Sequence, residues 1–304
     1  MLPRFLNYQG KQVLLKYHKL LTGRRTAPPN SLPAVREVVS GGAGVLEFDV
    51  SLTADGHFVL LHDLTLQRET TGVGPLRKRT LGEVKTVRLR DSDEPPADLQ
   101  EVVGILRGIG RPTKVQVDLK ELLPLGSHHA AALVEALQPL REHDAVRVVI
   151  GCLGDWNLRA LHRLDPELQL GLDFAYHLDA PVDDLVRLPT RLNAYGYLDD
   201  HPLGYRALLS PRDYLEDRVE TLLSLVPSAA EFYLRKDFVH QALRDGFNPI
   251  AFIHDLLPNS LVDVWTLDHL ADGSRDDEMR VLLDAGADQI TTNTPLQWAE
   301  VFPP

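Results

Sequence analysis

Four short polar clusters interrupt apolar runs in this 304-residue chain, and their residue types suit proton transfer and the binding of a hard cation. The first is Leu46-Glu47-Phe48-Asp49-Val50. Side chains alternate along a strand, so Glu47 and Asp49 share one face and the three apolar residues share the other. Two neighbouring carboxylates on a buried face repel each other and lose hydration, and they need a compensating cation. On an edge strand the same pattern is a solvated acidic face, and the segment alone fits both readings. A turn signal, Thr53-Ala54-Asp55-Gly56, leads into a second β run that ends at His62-Asp63. A four-residue loop at 53–56 puts His62 opposite Glu47, and a two-residue loop at Asp55-Gly56 puts it opposite Asp49. Either register delivers an imidazole to the carboxylates.

In Val115-Gln116-Val117-Asp118-Leu119-Lys120 the three polar residues again share a face. Asp118 and Lys120 read either as a structural salt bridge or as a third metal ligand and a phosphate contact. The fourth cluster, Leu14-Leu15-Lys16-Tyr17-His18-Lys19, places His18 just past a strand end. There are twelve histidines in the chain, so the grouping is informative where no single histidine is. Glu47, Asp49 and Asp118 offer only oxygen donors, which favours Mg2+ or Ca2+, with Mn2+ as an alternative, over zinc. Three carboxylates, one divalent cation, Lys19 and Lys120 sum to a formal charge of about +1, matched to a singly charged phosphodiester. Two histidines with ordinary pKa values of ~6.5 can hold opposite protonation states near neutrality, as a base–acid pair requires.

These clusters must be positioned by the elements around them. Strands are predicted at 13–17, 45–51, 114–119, 146–151, 169–173, 231–234, 262–266 and 288–292. Helices are predicted at 32–39, 99–107, 129–141, 157–164, 215–225, 237–244 and 276–285. Strands alternating with helices imply parallel βαβ units, and eight of them at this length imply a closed (β/α)8 TIM barrel. An open doubly wound sheet is the alternative, but no glycine-rich phosphate loop follows the first strand. Nothing marks a domain boundary, so residues 1–304 read as one barrel domain with a small β-hairpin insertion after the second strand. Residues 189–227 carry the weakest pattern and read as a lobe or long loop over the barrel mouth.

Composition narrows the function. Acidic groups outnumber basic ones by 43 to 32, for a net charge of −11. That argues against nucleic acid as a partner and against stable association with an anionic membrane. The single cysteine, Cys152, excludes an internal disulfide and reads as a core thiol at a strand end. The start of the chain has no apolar signal region, and no run approaches the ~20 apolar residues of a membrane span. A cytoplasmic location is expected. The sequence is silent on oligomeric state.

With these residues in view, the chain resembles the glycerophosphodiester phosphodiesterase family from His18 to Pro295. His18-Lys19-Leu20 and Pro28-Pro29-Asn30-Ser31 are similar to its opening motifs, and Glu47-Phe48-Asp49 to its Glu-x-Asp motif. The stretches Leu52-Thr53-Ala54-Asp55-Gly56 and His62-Asp63-Leu64-Thr65-Leu66-Gln67-Arg68-Glu69-Thr70-Thr71-Gly72 follow it nearly position by position. Asp118-Leu119-Lys120, Val264-Trp265-Thr266-Leu267-Asp268 and Thr291-Thr292-Asn293-Thr294-Pro295 resemble its later motifs. The resemblance implies His18 and His62 as the acid–base pair, Glu47, Asp49 and Asp118 as metal ligands, Lys120 on the phosphate and Trp265 lining the pocket. It implies hydrolysis of a small glycerophosphodiester to glycerol phosphate and an alcohol, opened by attack from the neighbouring substrate hydroxyl. Lys19 stands where the family has arginine, Pro29 replaces glutamate, Asp118 replaces glutamate, and two extra residues precede Asn30. Arg24 and Arg25 either restore the lost guanidinium or are solvated loop residues. Phospholipase D-like action on lysophospholipids, or a non-catalytic phosphodiester-binding barrel, are the competing expectations.

Overall fold

The computed structural model describes residues 1–178 and 210–304. Its strands are β1 (Phe5–Tyr8), β2 (Lys11–Tyr17), β3 (Val45–Leu52), β4 (Phe58–Val59), β5 (Thr113–Leu119), β6 (Val146–Cys152), β7 (Gln169–Asp173), β8 (Ala229–Arg235), β9 (Leu261–Trp265) and β10 (Gln289–Thr292). Its helices are α1 (Leu32–Gly41), α2 (Leu81–Val84), α3 (Leu99–Leu106), α4 (Ser127–Arg141), α5 (Asp155–Leu164), α6 (Pro211–Leu225), α7 (Lys236–Arg244), α8 (Pro249–Leu256), α9 (Asp276–Asp284) and α10 (Pro295–Val301). Strands β2, β3, β5, β6, β7, β8, β9 and β10 pair in parallel in that order, and β10 returns to β2 through Thr291↔Lys16. The sheet is therefore a closed eight-stranded (β/α)8 barrel.

Local chemistry accounts for the element ends. Ser31 caps α1 by accepting the Ala34 N–H at 3.2 Å, and Gly42 ends that helix in the left-handed region at φ 74°. Asp98 and Glu101 form a capping box at the start of α3. Along β3, the outward Leu46, Phe48, Val50 and Leu52 enter the large core that extends from Leu2 to Phe302. Gly171 on β7 leaves room for the Tyr233 ring, since a Cβ there would lie 2.1 Å from the tyrosine oxygen.

Several expectations are corrected here. The hairpin after β3 closes on a three-residue loop, Ala54-Asp55-Gly56, because Thr53 pairs with His57 at 2.8 Å and Gly56 takes φ 86°. The register is Ser51↔Val59 and Leu52↔Phe58, which is neither of the two anticipated. Continued, it would set His62 against the outward Phe48, but the ladder stops at Val59. Leu60 turns away to the Ala97 carbonyl at 2.8 Å, and Ser51 Oγ holds the Leu61 carbonyl at 2.9 Å, so His62 reaches the barrel mouth by leaving the sheet. The insertion is larger than a hairpin. Between β4 and α3 it carries a separate small core of Val59, Leu61, Leu66, Leu76, Val84 and Leu89. Of the anticipated mouth lobe at 189–227, residues 189–209 lie outside the described residues, and 211–225 form α6. Among the described residues, no helix is long and apolar enough to cross a membrane.

Candidate active site

The parallel pairing Glu47↔Gln116 and Asp49↔Asp118 puts three carboxylates on one inner face at the C-terminal end of β3 and β5. Glu47, Asp49 and Asp118 offer oxygens that all lie within 4.8 Å of one another. Glu47 is 2% exposed and Asp49 is wholly buried. Lys120 Nζ sits 2.6 Å from Asp118 Oδ2 and 3.1 Å from Asp49 Oδ1, and Lys19 Nζ lies 3.6 Å from Asp49 Oδ2. Asn30 holds the same Asp49 oxygen with its amide at 2.8 Å.

Glu47 fares differently from its neighbour. It accepts one hydrogen bond, from the Lys19 backbone N–H at 2.7 Å, while Oε1 is buried without a partner. Burial, then the charges of Asp49 and Asp118, push its carboxyl up to about 8. For Asp49 burial alone would act the same way, but Lys120 and Lys19 more than reverse it and hold the carboxyl below the usual range. Burial pulls on the Lys120 ammonium too, yet Asp118 and Asp49 outweigh it and keep the ammonium well above its ordinary value. An orphaned, buried carboxylate oxygen beside two more carboxylates fits a hard divalent cation, since oxygen donors in this number and spacing are its ligands.

The two histidines face this cluster with their outer nitrogens already committed. Asn293 donates its amide to Asp268 Oδ2 at 2.8 Å, which fixes Oδ1 toward His18 Nδ1 at 2.8 Å. An amide oxygen can only accept, so His18 Nδ1 carries the proton and Nε2 keeps its lone pair. Burial, then Lys19, lower the His18 pKa to about 4. His62 Nδ1 meets Asp63 Oδ1 at 2.9 Å, and Asp63 is in turn gripped by the Arg68 guanidinium and favours a protonated ring. Burial and Lys120 nonetheless hold the His62 pKa below its ordinary value.

A cleft of about 510 Å³ opens above the cluster, lined by His18, Glu47, His62, Asp118, Lys120 and Trp265 among others. Lys19 is not among the lining residues. Its left-handed backbone, φ 52°, turns its N–H to Glu47, and its ammonium lies 3.6 Å from Asp49. Arg24 lies 3.8 Å from Glu37 and is mostly exposed, Arg25 is exposed, and neither lines the cleft. Among the described residues, Arg68 is the arginine that lines the cleft. Sequence reasoning missed Asn293, Asp268, Asp63 and Asn30 as supporting residues. All four sit inside the motifs quoted above, but no local pattern announces a bond such as His18–Asn293, 275 positions apart.

A model of the glycerophosphoryl diester phosphodiesterase family matches residues 22–297. The glycerophosphodiester phosphodiesterase of Caldanaerobacter subterraneus is 26% identical over 190 residues, covering 60% of this chain and 74% of that one. Human glycerophosphodiester phosphodiesterase 1 is 37% identical over 89 residues, 27% of each chain. The Oleispira antarctica phosphodiesterase, solved in complex with its product sn-glycerol-3-phosphate, has a TM-score of 0.63 at 18% identity and covers 94% of this chain and 95% of that chain, a likeness of fold. The family match, over residues 22–297, spans Glu47, Asp49, His62, Asp118, Lys120 and Trp265 and most of the chain, and this phosphodiesterase therefore belongs to the glycerophosphoryl diester phosphodiesterase family.

Proposed function

We propose that the enzyme hydrolyses glycerophosphodiesters to glycerol phosphate and an alcohol, with Glu47, Asp49 and Asp118 holding a divalent cation and His18 and His62 exchanging protons. One observation carries the reading. Two imidazoles, each anchored through Nδ1, stand beside a buried carboxylate group whose Glu47 Oε1 has no partner. When bound, a divalent ion would neutralise a non-bridging phosphate oxygen and withdraw charge from phosphorus. The sn-glycerol-3-phosphate bound by the Oleispira relative is the kind of product this reaction releases.

His18 is the base of the first step, because its neutral partner Asn293 and its low pKa keep Nε2 unprotonated at neutral pH. It takes the proton of the glycerol hydroxyl next to the phosphoester. That oxygen attacks phosphorus and closes a five-membered cyclic phosphate. His62, whose imidazolium Asp63 stabilises, gives its proton to the departing alcohol oxygen. The second step reverses the roles: His62 takes a proton from water, the water oxygen adds to phosphorus, and His18 returns a proton to the glycerol oxygen. Lys120 holds positive charge beside the phosphate throughout, and Trp265 shapes the wall of the cleft. Among the described residues the cysteine thiol offers no nucleophile, which supports attack by the substrate's own hydroxyl. Cys152 is buried, and its thiol pKa is pushed up to about 12. Well-oriented intramolecular attack reaches effective molarities of ~10⁵–10⁸ M.

Phosphorus NMR separates this route from direct hydrolysis. Glycerophosphocholine should turn over through a transient cyclic phosphate, and an analogue methylated at the adjacent hydroxyl should not turn over. Equal rates on the two would mean that water attacks directly.

A further inference from the structure

Gln116 is a polar group of the cleft that the reaction above leaves unused. It points inward from β5 two residues before Asp118 and pairs across the sheet with Glu47. It is 3% exposed and still lines the cleft, so it forms part of the floor beneath the carboxylates. Tyr233 and Thr291, equally buried, line the cleft with it.

One interaction fixes which end of this amide is available. Lys16 Nζ donates to Gln116 Oε1, and an ammonium can only donate, so the carbonyl end is committed to the lysine and Nε2 is turned away from it. Lys16 is itself held in place, 3.2 Å from Asp263 and 4.3 Å from the centre of the Tyr233 ring. On β6 a glycine makes room for the amide. A Cβ on Gly151 would lie 2.8 Å from Gln116 Nε2 and 3.4 Å from Asp118 Oδ1, so the amide nitrogen sits close to the carboxylate cluster. Among the described residues, Nε2 has no hydrogen-bond acceptor. A donor held at the bottom of a cleft without an acceptor is complementary to an oxygen of whatever the cleft binds.

We propose that Gln116 recognises the glycerol arm of the substrate, its Nε2 donating to the terminal hydroxyl that takes no part in the chemistry, with Lys16 as the positioning residue that aims the amide. The inference rests on the hydrolytic reading above, in which the alcohol departs past His62. The His62 side chain is 35% exposed, so the departing arm faces outward and the glycerol arm is directed to the floor. Charge decides which glycerol phosphate oxygen meets the amide. Glu47 is paired with Gln116 across the sheet, and Lys16 is already matched to Asp263. A phosphate oxygen here would bring negative charge beside carboxylates, whereas a hydroxyl accepts the bond without bringing any. The attacking hydroxyl must stay at His18 and phosphorus, which leaves the terminal one for the floor.

The test compares two substrates on the full chain in the presence of Mg2+. One is glycerophosphocholine. The other is the phosphocholine ester of propane-1,2-diol at carbon 1, which keeps the hydroxyl next to the phosphoester and lacks only the terminal one. Wild type should favour the glycerol substrate in kcat/KM by roughly 10- to 100-fold, because the analogue leaves the floor amide without its acceptor. Gln116→Met keeps the length of the side chain and leaves Lys16 with Asp263, and it should bring the two substrates to within a few-fold of each other. Lys16→Met lets the amide turn over and should shrink the preference in the same direction. The preference is a ratio measured on one protein, so a loss of folded material in either variant does not move it. Equal turnover of the two substrates by wild type overturns the proposal without any variant. An undiminished preference in Gln116→Met, with both substrates slowed alike, makes the residue merely structural and overturns it too. No turnover of glycerophosphocholine at all would overturn the hydrolytic reading, and this inference with it.

Discussion

Two layers of charge lie one above the other inside the barrel, built from the same residue types, the lower one more deeply buried than the upper. In the lower layer Lys16 meets Asp263 at 3.2 Å and Lys114 meets Glu231 at 2.7 Å. Thr291 satisfies the second Asp263 oxygen at 2.7 Å, and the Lys16 ammonium rests 4.3 Å from the centre of the Tyr233 ring. Each cation there has its anion. In the upper layer three carboxylates share Lys120 and Lys19, and Glu47 keeps an orphaned oxygen and a carboxyl raised to about 8. Burial of charge is thus no mark of function by itself. What separates the layers is charge balance: each lower cation faces one anion, whereas in the upper layer three carboxylates share two ammonium groups.

The sharpest way to break that contrast is at the histidines that only the upper layer has. His18→Ala and His62→Ala should each lower kcat by ~10²–10⁴-fold with normal circular dichroism. Near-wild-type turnover in either would remove that residue from proton transfer.

The lower layer should respond in stability and not in cation binding. Lys114→Met strands Glu231 without its cation and should cost about 3–5 kcal/mol of unfolding free energy, read by urea denaturation. Lys114→Met with Glu231→Met should recover most of that loss, and cation affinity should be unchanged in the double variant if it folds. A large fall in affinity would mean the layers are one electrostatic unit.

The pH response should also divide them. The Glu47 proton must leave before the carboxylate can ligate, and its folded pKa of about 8 lies above the ordinary 4.5. Cation affinity should therefore fall about tenfold per pH unit below 8 and level off above it, with proton release seen by calorimetry in buffers of different ionisation enthalpy. In the cation-free protein the same raised carboxyl makes stability decline as pH rises from about 4.5 to 8, because the folded state keeps a proton that the unfolded state has lost. Affinity independent of pH across this window would contradict the role given to Glu47.

The smallest effect is expected at Lys19. Its backbone serves Glu47 and its ammonium serves Asp49, so Lys19→Arg should stay within a few-fold of wild type. A kinetic loss equal to that of Lys19→Ala would show that the loop is built around lysine alone.

How far the sequence reached follows from which interactions are local. All eight barrel strands and the Glu47, Asp49, Asp118 and Lys120 faces are legible, because alternation along a strand is a local pattern. The hairpin delivers His62 as expected but by another path, since one side-chain bond at Thr53 set the loop length. Strand β1 and helices α2, α8 and α10 are not among the predicted elements. The lower ionic layer was hidden for a different reason. Lys16, Lys114, Glu231 and Asp263 pair across strands far apart in the chain, and inward polar residues of a barrel look like a solvated face when read singly.

The most direct test of the account is chelation followed by reconstitution, with glycerophosphocholine turnover and bound metal measured on the same sample. The account predicts that excess EDTA abolishes turnover, that Mg2+, Ca2+ or Mn2+ restores it at one ion per chain, and that Glu47→Gln with Asp49→Asn neither binds the ion nor recovers. Full activity in EDTA with no metal detected by mass spectrometry would leave the imbalance of the upper layer without a purpose and contradict the account.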